Sequence, residues 1–214
     1  EVCLLDAKNQ QEFDRGKLLL QQEAAILARY QQLPCIVDVL AFFMENQTAY
    51  LVMEYLEGET LETHLQTVEQ IPASWLARKM EPLMDDLEKL HAVGLVHGDI
   101  SPDNLILTKD GQIKLIDFGS ATLFSHVGDA VALKLPYAAP EAYAPGKQQP
   151  EVDIYALCAT FYHCITGKKP LPAAARTHTK MKWPSQLDAS IPGSVDHFLK
   201  RGMALRAQQR YHSM

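Results

Sequence analysis

His97-Gly98-Asp99-Ile100-Ser101-Pro102-Asp103-Asn104-Leu105-Ile106-Leu107, followed after a short turn by Ile113-Lys114-Leu115-Ile116-Asp117-Phe118-Gly119, is the stretch on which the reading of this chain turns. Two apolar runs, Leu105–Leu107 and Ile113–Ile116, flank Lys109-Asp110-Gly111. An Asp-Gly pair between short apolar runs predicts a β-hairpin. A hairpin returns the chain to its starting end. Asp99 and Asn104 precede its first strand and Asp117 follows its second, so all three side chains meet at one edge. Two carboxylates and an amide oxygen are hard oxygen donors of the kind that suits Mg²⁺ on a phosphate ester.

Working outward, composition narrows the class. The 214 residues make one large domain or two small lobes. The 47% apolar content is that of a globular protein. The net charge is −6 with no basic block, which argues against a nucleic-acid partner. Cys3, Cys35, Cys158 and Cys164 form no C-x-x-C pair and read as reduced, buried thiols in a cytoplasmic protein. No apolar run approaches the roughly 18 residues needed to span a bilayer, and no signal peptide is expected.

Periodicity supplies the remaining elements. Val2–Leu5 reads as a short strand. Gln11–Tyr30 is helical, with Leu19, Glu23, Ile26, Leu27 and Tyr30 at three- and four-residue spacing and Pro34 beyond it. Ile36–Phe43 and Ala49–Tyr55 are expected as antiparallel strands joined by a turn at Glu45-Asn46-Gln47. A short helix is expected over Glu59–Leu65 and a long one from Ser74 to Gly94. In the long helix Trp75, Leu76, Met80, Leu83, Leu87 and Leu90 face a core. A helix from Asp153 to Thr166 is apolar all round, hence buried, and Gly167 stops it. Ala121–Leu133 lacks strong periodicity and reads as loop, residues 168–193 read as loop with one short helix, and Val195–Leu205 as a last amphipathic helix.

The central stretch resembles the eukaryotic-like (Hanks-type) Ser/Thr protein kinases, whose signature is H-R-D-x-x-x-x-N followed by D-F-G. The wording I-S-P-D-N is similar to the bacterial branch. The resemblance implies an α+β, bilobal protein-kinase-like fold. A partial β-rich small lobe would cover residues 1–56 and a mainly helical large lobe residues 57–214. It also implies ATP and Mg²⁺ as cofactors and a protein substrate with a Ser or Thr acceptor. Asp99 would orient the acceptor hydroxyl and take its proton, while Asn104 and Asp117 would hold Mg²⁺. His97 would be structural, packing under Phe118.

Other segments extend the likeness. Gln22-Glu23-Ala24 through Leu27-Ala28 resembles the mobile helix of the small lobe, with Glu23 as the partner of a nucleotide-binding lysine. The alternative is an exposed helix glutamate. Thr48–Gly58 resembles the strand and hinge between the lobes. Met53 would then guard the back of the adenine pocket, the backbone at Glu54 and Leu56 would meet the adenine edge, and Ile106 would join the nucleotide-binding set. Ala139-Pro140-Glu141 resembles the end of the substrate-docking loop, with Arg210 as the pairing partner of Glu141. Asp153 would anchor the catalytic loop.

The departures carry information of their own. No glycine-rich loop precedes the helix within the chain, and aligning Val2–Leu5 on the family's strand puts Leu5 in the lysine slot, with Lys8 nearby. Gly98 stands where most regulated kinases carry arginine, so phosphate on Ser120, Thr122 or Ser125 has no evident receiver, and activity is expected not to depend on it. Ser101 replaces the lysine that steadies the γ-phosphate. Lys134, where threonine is usual, is expected to reach back toward Asp99 as a replacement cation, the alternative being a solvated loop lysine. Two rival readings remain open: a pseudokinase that binds nucleotide or scaffolds, and a small-molecule kinase of the aminoglycoside or choline type, which shares the H-G-D wording.

Overall fold

The computed structural model describes residues 10–123, 134–143 and 148–214. The expected strand Val2–Leu5, the lysine slot at Leu5, Lys8 and Ser125 lie outside them, as does most of the 121–133 segment.

Helix α1 runs Gln10–Arg29 and packs on both strands of the hairpin that follows. Its inward face carries Glu23, Ala24 and Leu27, all buried. Strands β1 (Val39–Glu45) and β2 (Thr48–Met53) pair antiparallel, with Glu45 opposite Thr48. Between them Asn46 and Gln47 both take left-handed φ, 49° and 62°. This is the turn geometry whose twist matches paired strands. Ile36 and Val37, expected inside the first strand, instead form the buried approach to it, held by Val37 N–H donating to Leu115 O at 3.1 Å.

Below the hinge, β3 (Gly58–Thr60) joins β5 (Leu105–Thr108) and β6 (Ile113–Leu115) in a three-stranded antiparallel sheet. The helix expected over Glu59–Leu65 begins later, as α2 over Leu61–Val68. Glu59 and Thr60 are claimed by pairing with Leu107 and Ile106. Thr60 also accepts from Thr63 N–H at 3.1 Å, as an N-cap residue outside the helix does. Strand β4 (Leu95–Val96) pairs with β7 (Thr122–Leu123).

The core of the larger part lies between two long helices. Helix α3 (Ala73–Ala92) buries Leu76, Met80, Leu83, Leu87 and Leu90. Helix α4 (Pro150–Thr166) is buried at every position from Val152 to Thr166, as its uniformly apolar sequence predicts. Gly167 closes it with φ 64° and an N–H to His163 O. Short helix α5 (Pro184–Leu187) and α6 (Gly193–Gly202) pack against it. No helix among the described residues is long and apolar enough to cross a membrane.

Candidate active site

The expected hairpin forms, with Leu105 opposite Leu115 and Leu107 opposite Ile113. Ile116 N–H donates to Asn104 O at 3.0 Å, so the end of the second strand is tied to the start of the first. Asp117 follows directly, held with φ 65°, and its Oδ1 accepts from Gly119 N–H at 3.2 Å.

Asn104 is 5% exposed and orients Asp99. Its Nδ2 donates to Asp99 O at 2.9 Å and to Asp99 Oδ2 at 3.0 Å. Burial raises the proton affinity of Asp99 above that of an ordinary aspartate, and the charge and hydrogen bond of Lys134 oppose the rise. Lys134 reaches across as expected: its Nζ lies 3.2 Å from Asp99 Oδ2, and 3.0 Å from both Ser101 Oγ and Asn104 Oδ1.

The loop beneath is pinned by Asp153, which is fully buried at the start of α4. Its carboxylate accepts from His97 N–H and Gly98 N–H, both at 2.8 Å, and lies 2.8 Å from His91 Nε2. Burial alone would raise its pKa, but the His91 contact, His97 and the Gly98 amide outweigh it and hold the carboxylate below the ordinary range. His97 is buried, with its ring edge-on to Phe118 at 4.6 Å between centroids. Burial lowers its pKa, so it stays neutral as a structural ring. Gly98 takes φ 82°, which glycine adopts without strain.

Glu23 reaches the site from α1. Its Oε1 accepts from Phe118 N–H at 2.8 Å. Burial, with the nearby Asp117 charge adding to it, pushes its pKa up to about 7. Phe118 N–H is thus the partner seen for Glu23 among the described residues, and the lysine slot at Leu5 and Lys8 lie outside them.

After β2, Glu54 N–H donates to Asp38 O at 2.9 Å. Its carboxylate accepts from Asp38 N–H and pairs with Lys114. The Glu54 amide is therefore occupied, so of its backbone groups only the carbonyl could serve the adenine contact that the resemblance implies. Ile106 lies directly opposite Lys114 in the ladder, so both share the sheet face that meets Glu54. Leu56 is half-buried, while Met53 is 39% exposed at the end of β2.

The Ala139-Pro140-Glu141 segment is anchored through Arg210, whose guanidinium is fully buried. Nη2 donates to Glu141 Oε2 at 2.9 Å, Nη1 to Glu141 Oε1, and the remaining donors go to the carbonyls of Ala204, Glu151 and Leu205. Tyr137 Oη lies 2.9 Å from His163 Nδ1 on α4.

The donor types fit a hard cation: the Asp117 carboxylate would hold it with a phosphate chain supplying the rest, as would the Asn104 oxygen once released by Lys134. Among the described residues no cluster of three His, Cys, Asp or Glu forms a self-sufficient metal site.

Sequence reading missed three positioning residues. His91 braces Asp153 from 62 positions away. Asp86, buried on α3, accepts from Cys35 N–H at 2.9 Å and takes Lys89 at 2.8 Å. Lys114 pins the hinge through Glu54. Only Lys89, three residues after Asp86, left a local trace in the sequence.

Residues 4–211 match the family model described as protein kinase domain. The chain is 32% identical to sperm motility kinase 1 of Mus musculus over 73% of its length and 33% of that protein's. It is 28% identical to the serine/threonine-protein kinase PknH of Mycobacterium tuberculosis, covering 91% of this chain and 33% of that one. It is also 28% identical to the serine/threonine-protein kinase PrkC of Bacillus subtilis, over 100% of this chain and 34% of that protein. The chain thus spans about a third of the length of these relatives. With the match running nearly from end to end, and the bacterial relatives among those found, the chain belongs to the protein kinase domain family that its Hanks-type motifs resemble.

Proposed function

We propose that this chain is the catalytic module of a Ser/Thr protein kinase, transferring the γ-phosphate of ATP to a hydroxyl of a protein substrate. The observation that carries the reading is Asp99, oriented by Asn104 and paired with Lys134, on a loop held by the buried Asp153. In the transfer, the acceptor oxygen bonds to the γ-phosphorus, the bond to the β-phosphate oxygen breaks, and Asp99 takes the hydroxyl proton. There is little covalent chemistry for the protein to perform, so positioning and charge stabilisation supply the rate. Lys134 places a fixed positive charge beside Asp99, where charge develops.

Mg²⁺, when bound with the nucleotide, would neutralise phosphate charge. Asp117 would hold it, and Asn104 would do so wherever Lys134 gives up the amide oxygen. Glu54, Leu56 and Ile106 would line the adenine side, with Met53 at its rear. A protein substrate is favoured over a small alcohol because the docking segment is built, with Glu141 locked to Arg210 and Tyr137 to His163. The module works in the cytoplasm, where ATP and Mg²⁺ are at hand and where Cys35, Cys158 and Cys164 stay as the free buried thiols seen here.

A second reading, a nucleotide-binding pseudokinase, is favoured by the sequence, which puts Leu5 in the lysine slot, Gly98 where arginine is usual and Ser101 where lysine is usual. One experiment separates the two. ATP binding is measured by calorimetry with and without Mg²⁺, beside Asp117→Ala, and phosphate transfer to a Ser/Thr peptide library is measured beside Asp99→Asn. Mg²⁺-dependent binding with transfer that Asp99→Asn abolishes supports the enzyme. Binding without transfer leaves the pseudokinase, and no binding removes both.

A further inference from the structure

This inference rests on the kinase reading and concerns its cations. Asn104 Oδ1 is the oxygen expected to meet a metal, and it already accepts a hydrogen bond from Lys134 Nζ at 3.0 Å. The same nitrogen lies 3.0 Å from Ser101 Oγ and 3.2 Å from Asp99 Oδ2, with Asp103 Oδ2 at 4.0 Å. An ammonium has three N–H donors. Ser101, Asn104 and Asp99 match that number, and Asp103 adds charge from slightly farther away.

The cage is built into the fold. Ser101 is 0% exposed and Asn104 5%. Asn104 cannot turn its oxygen elsewhere without losing the two bonds that its Nδ2 makes to Asp99. Lys134 is held from its own backbone, because its carbonyl accepts from Tyr137 N–H at 2.8 Å and Ala138 N–H at 3.1 Å. Those bonds tie it to the docking segment that α4 supports through His163. A divalent cation on Asn104 Oδ1 would have to displace this ammonium, because two like charges cannot share one buried oxygen.

Kinase sites hold two ions, one on the D-F-G aspartate and one on the catalytic-loop asparagine. We propose that Lys134 is a resident cation in the second of these positions, so that this chain binds its nucleotide with one divalent ion, on Asp117. Asn104 then positions Asp99 and Lys134. The departure at Ser101 is explained as well: its small hydroxyl leaves room for an ammonium arriving from the docking segment and accepts one of its protons.

The test counts ions. Mn²⁺ suits the same oxygen donors as Mg²⁺ and is followed by electron paramagnetic resonance. The chain is titrated with Mn²⁺ at saturating β,γ-imido-ATP, a non-hydrolysable analogue. The wild type is expected to bind one ion per nucleotide, and Lys134→Met, which keeps the stem and removes the charge, two. Lys134→Arg should bind one, and so should Lys134→Met combined with Asn104→Ala, because the released oxygen is gone. Two ions in the wild type, or one in a folded Lys134→Met that binds the analogue, overturns the inference while leaving the kinase reading intact. If Lys134→Met fails to fold, the wild-type count decides alone. No analogue binding by the wild type overturns the kinase reading, and this inference with it.

Discussion

The two walls of the cleft are made differently. The floor, from His97 to Asn104, is held by buried charge. Asp153 is 0% exposed and gathers two backbone amides and His91, and the Arg210 side chain, equally buried, clamps Glu141. The roof, β1–β2 with the hinge, presents several of its apolar groups to solvent: Leu40 is 66% exposed, Met44 55% and Tyr55 88%. A buried carboxylate that gathers several donors fixes one geometry, because any alternative strands its charge out of water. Exposed apolar side chains fix little. The catalytic loop is therefore set within the large lobe, and among the described residues the roof side is tied to it by Glu23 to Phe118, Cys35 to Asp86 and Leu115, Val37 to Leu115, and Glu54 to Lys114.

Four measurements would break or sharpen this contrast. Asp99→Asn keeps the shape of the floor and removes its base. Turnover should fall about 1,000-fold, or about 4 kcal/mol, in a steady-state assay. ATP affinity and melting temperature should stay close to wild type; a large fall in either would mean that Asp99 is part of the scaffold. Glu141→Ala leaves the Arg210 charge buried without its partner. Chemical denaturation should show a loss of about 3 kcal/mol, the lower end of the range for broken buried pairs, since Glu141 itself is 35% exposed. A near-zero loss would show the floor to be less dependent on its anchors than the geometry implies.

The roof should respond less. Phe43 and Tyr50 stack with ring centroids 5.1 Å apart on the exposed hairpin. Phe43→Ala should cost about 1 kcal/mol. A loss of several kcal/mol would place the hairpin in a cooperative core and erase the contrast.

The smallest effect should come from His163, which supports the docking segment through Tyr137. Burial holds its pKa below the ordinary histidine value of 6.5. A depressed folded-state pKa favours the neutral ring, so its contribution to stability is present above pH 6.5 and is lost as pH falls through the lower folded value. His163→Gln should flatten that part of the stability profile while keeping an acceptor for Tyr137. A profile below pH 6.5 identical to wild type would assign the acid sensitivity to other groups.

Much of this was legible in the sequence because its signals are local. The Asp-Gly turn between Leu105–Leu107 and Ile113–Ile116 brought Asp99, Asn104 and Asp117 to one edge, as read. The uniformly apolar run after Asp153 was the buried helix. Boundaries slipped where two local preferences competed: Glu59 and Thr60 looked helical, but β5 claimed them and Thr60 became the cap. His91, Asp86 and Lys114 escaped notice because each is an ordinary helix or strand residue until its distant partner arrives.

By itself the sequence determined the family, the order of the motifs and which residue types gather at the edge of the hairpin. Short-range turn chemistry and periodicity encode those directly. Only the tertiary structure decided what each charge does. It gave Glu23 to the Phe118 amide, bound Asp153 to His91, and set Lys134 on the oxygen of Asn104. Those outcomes depend on electrostatic contacts between residues tens of positions apart, whose strength is set by burial that only the packed chain creates.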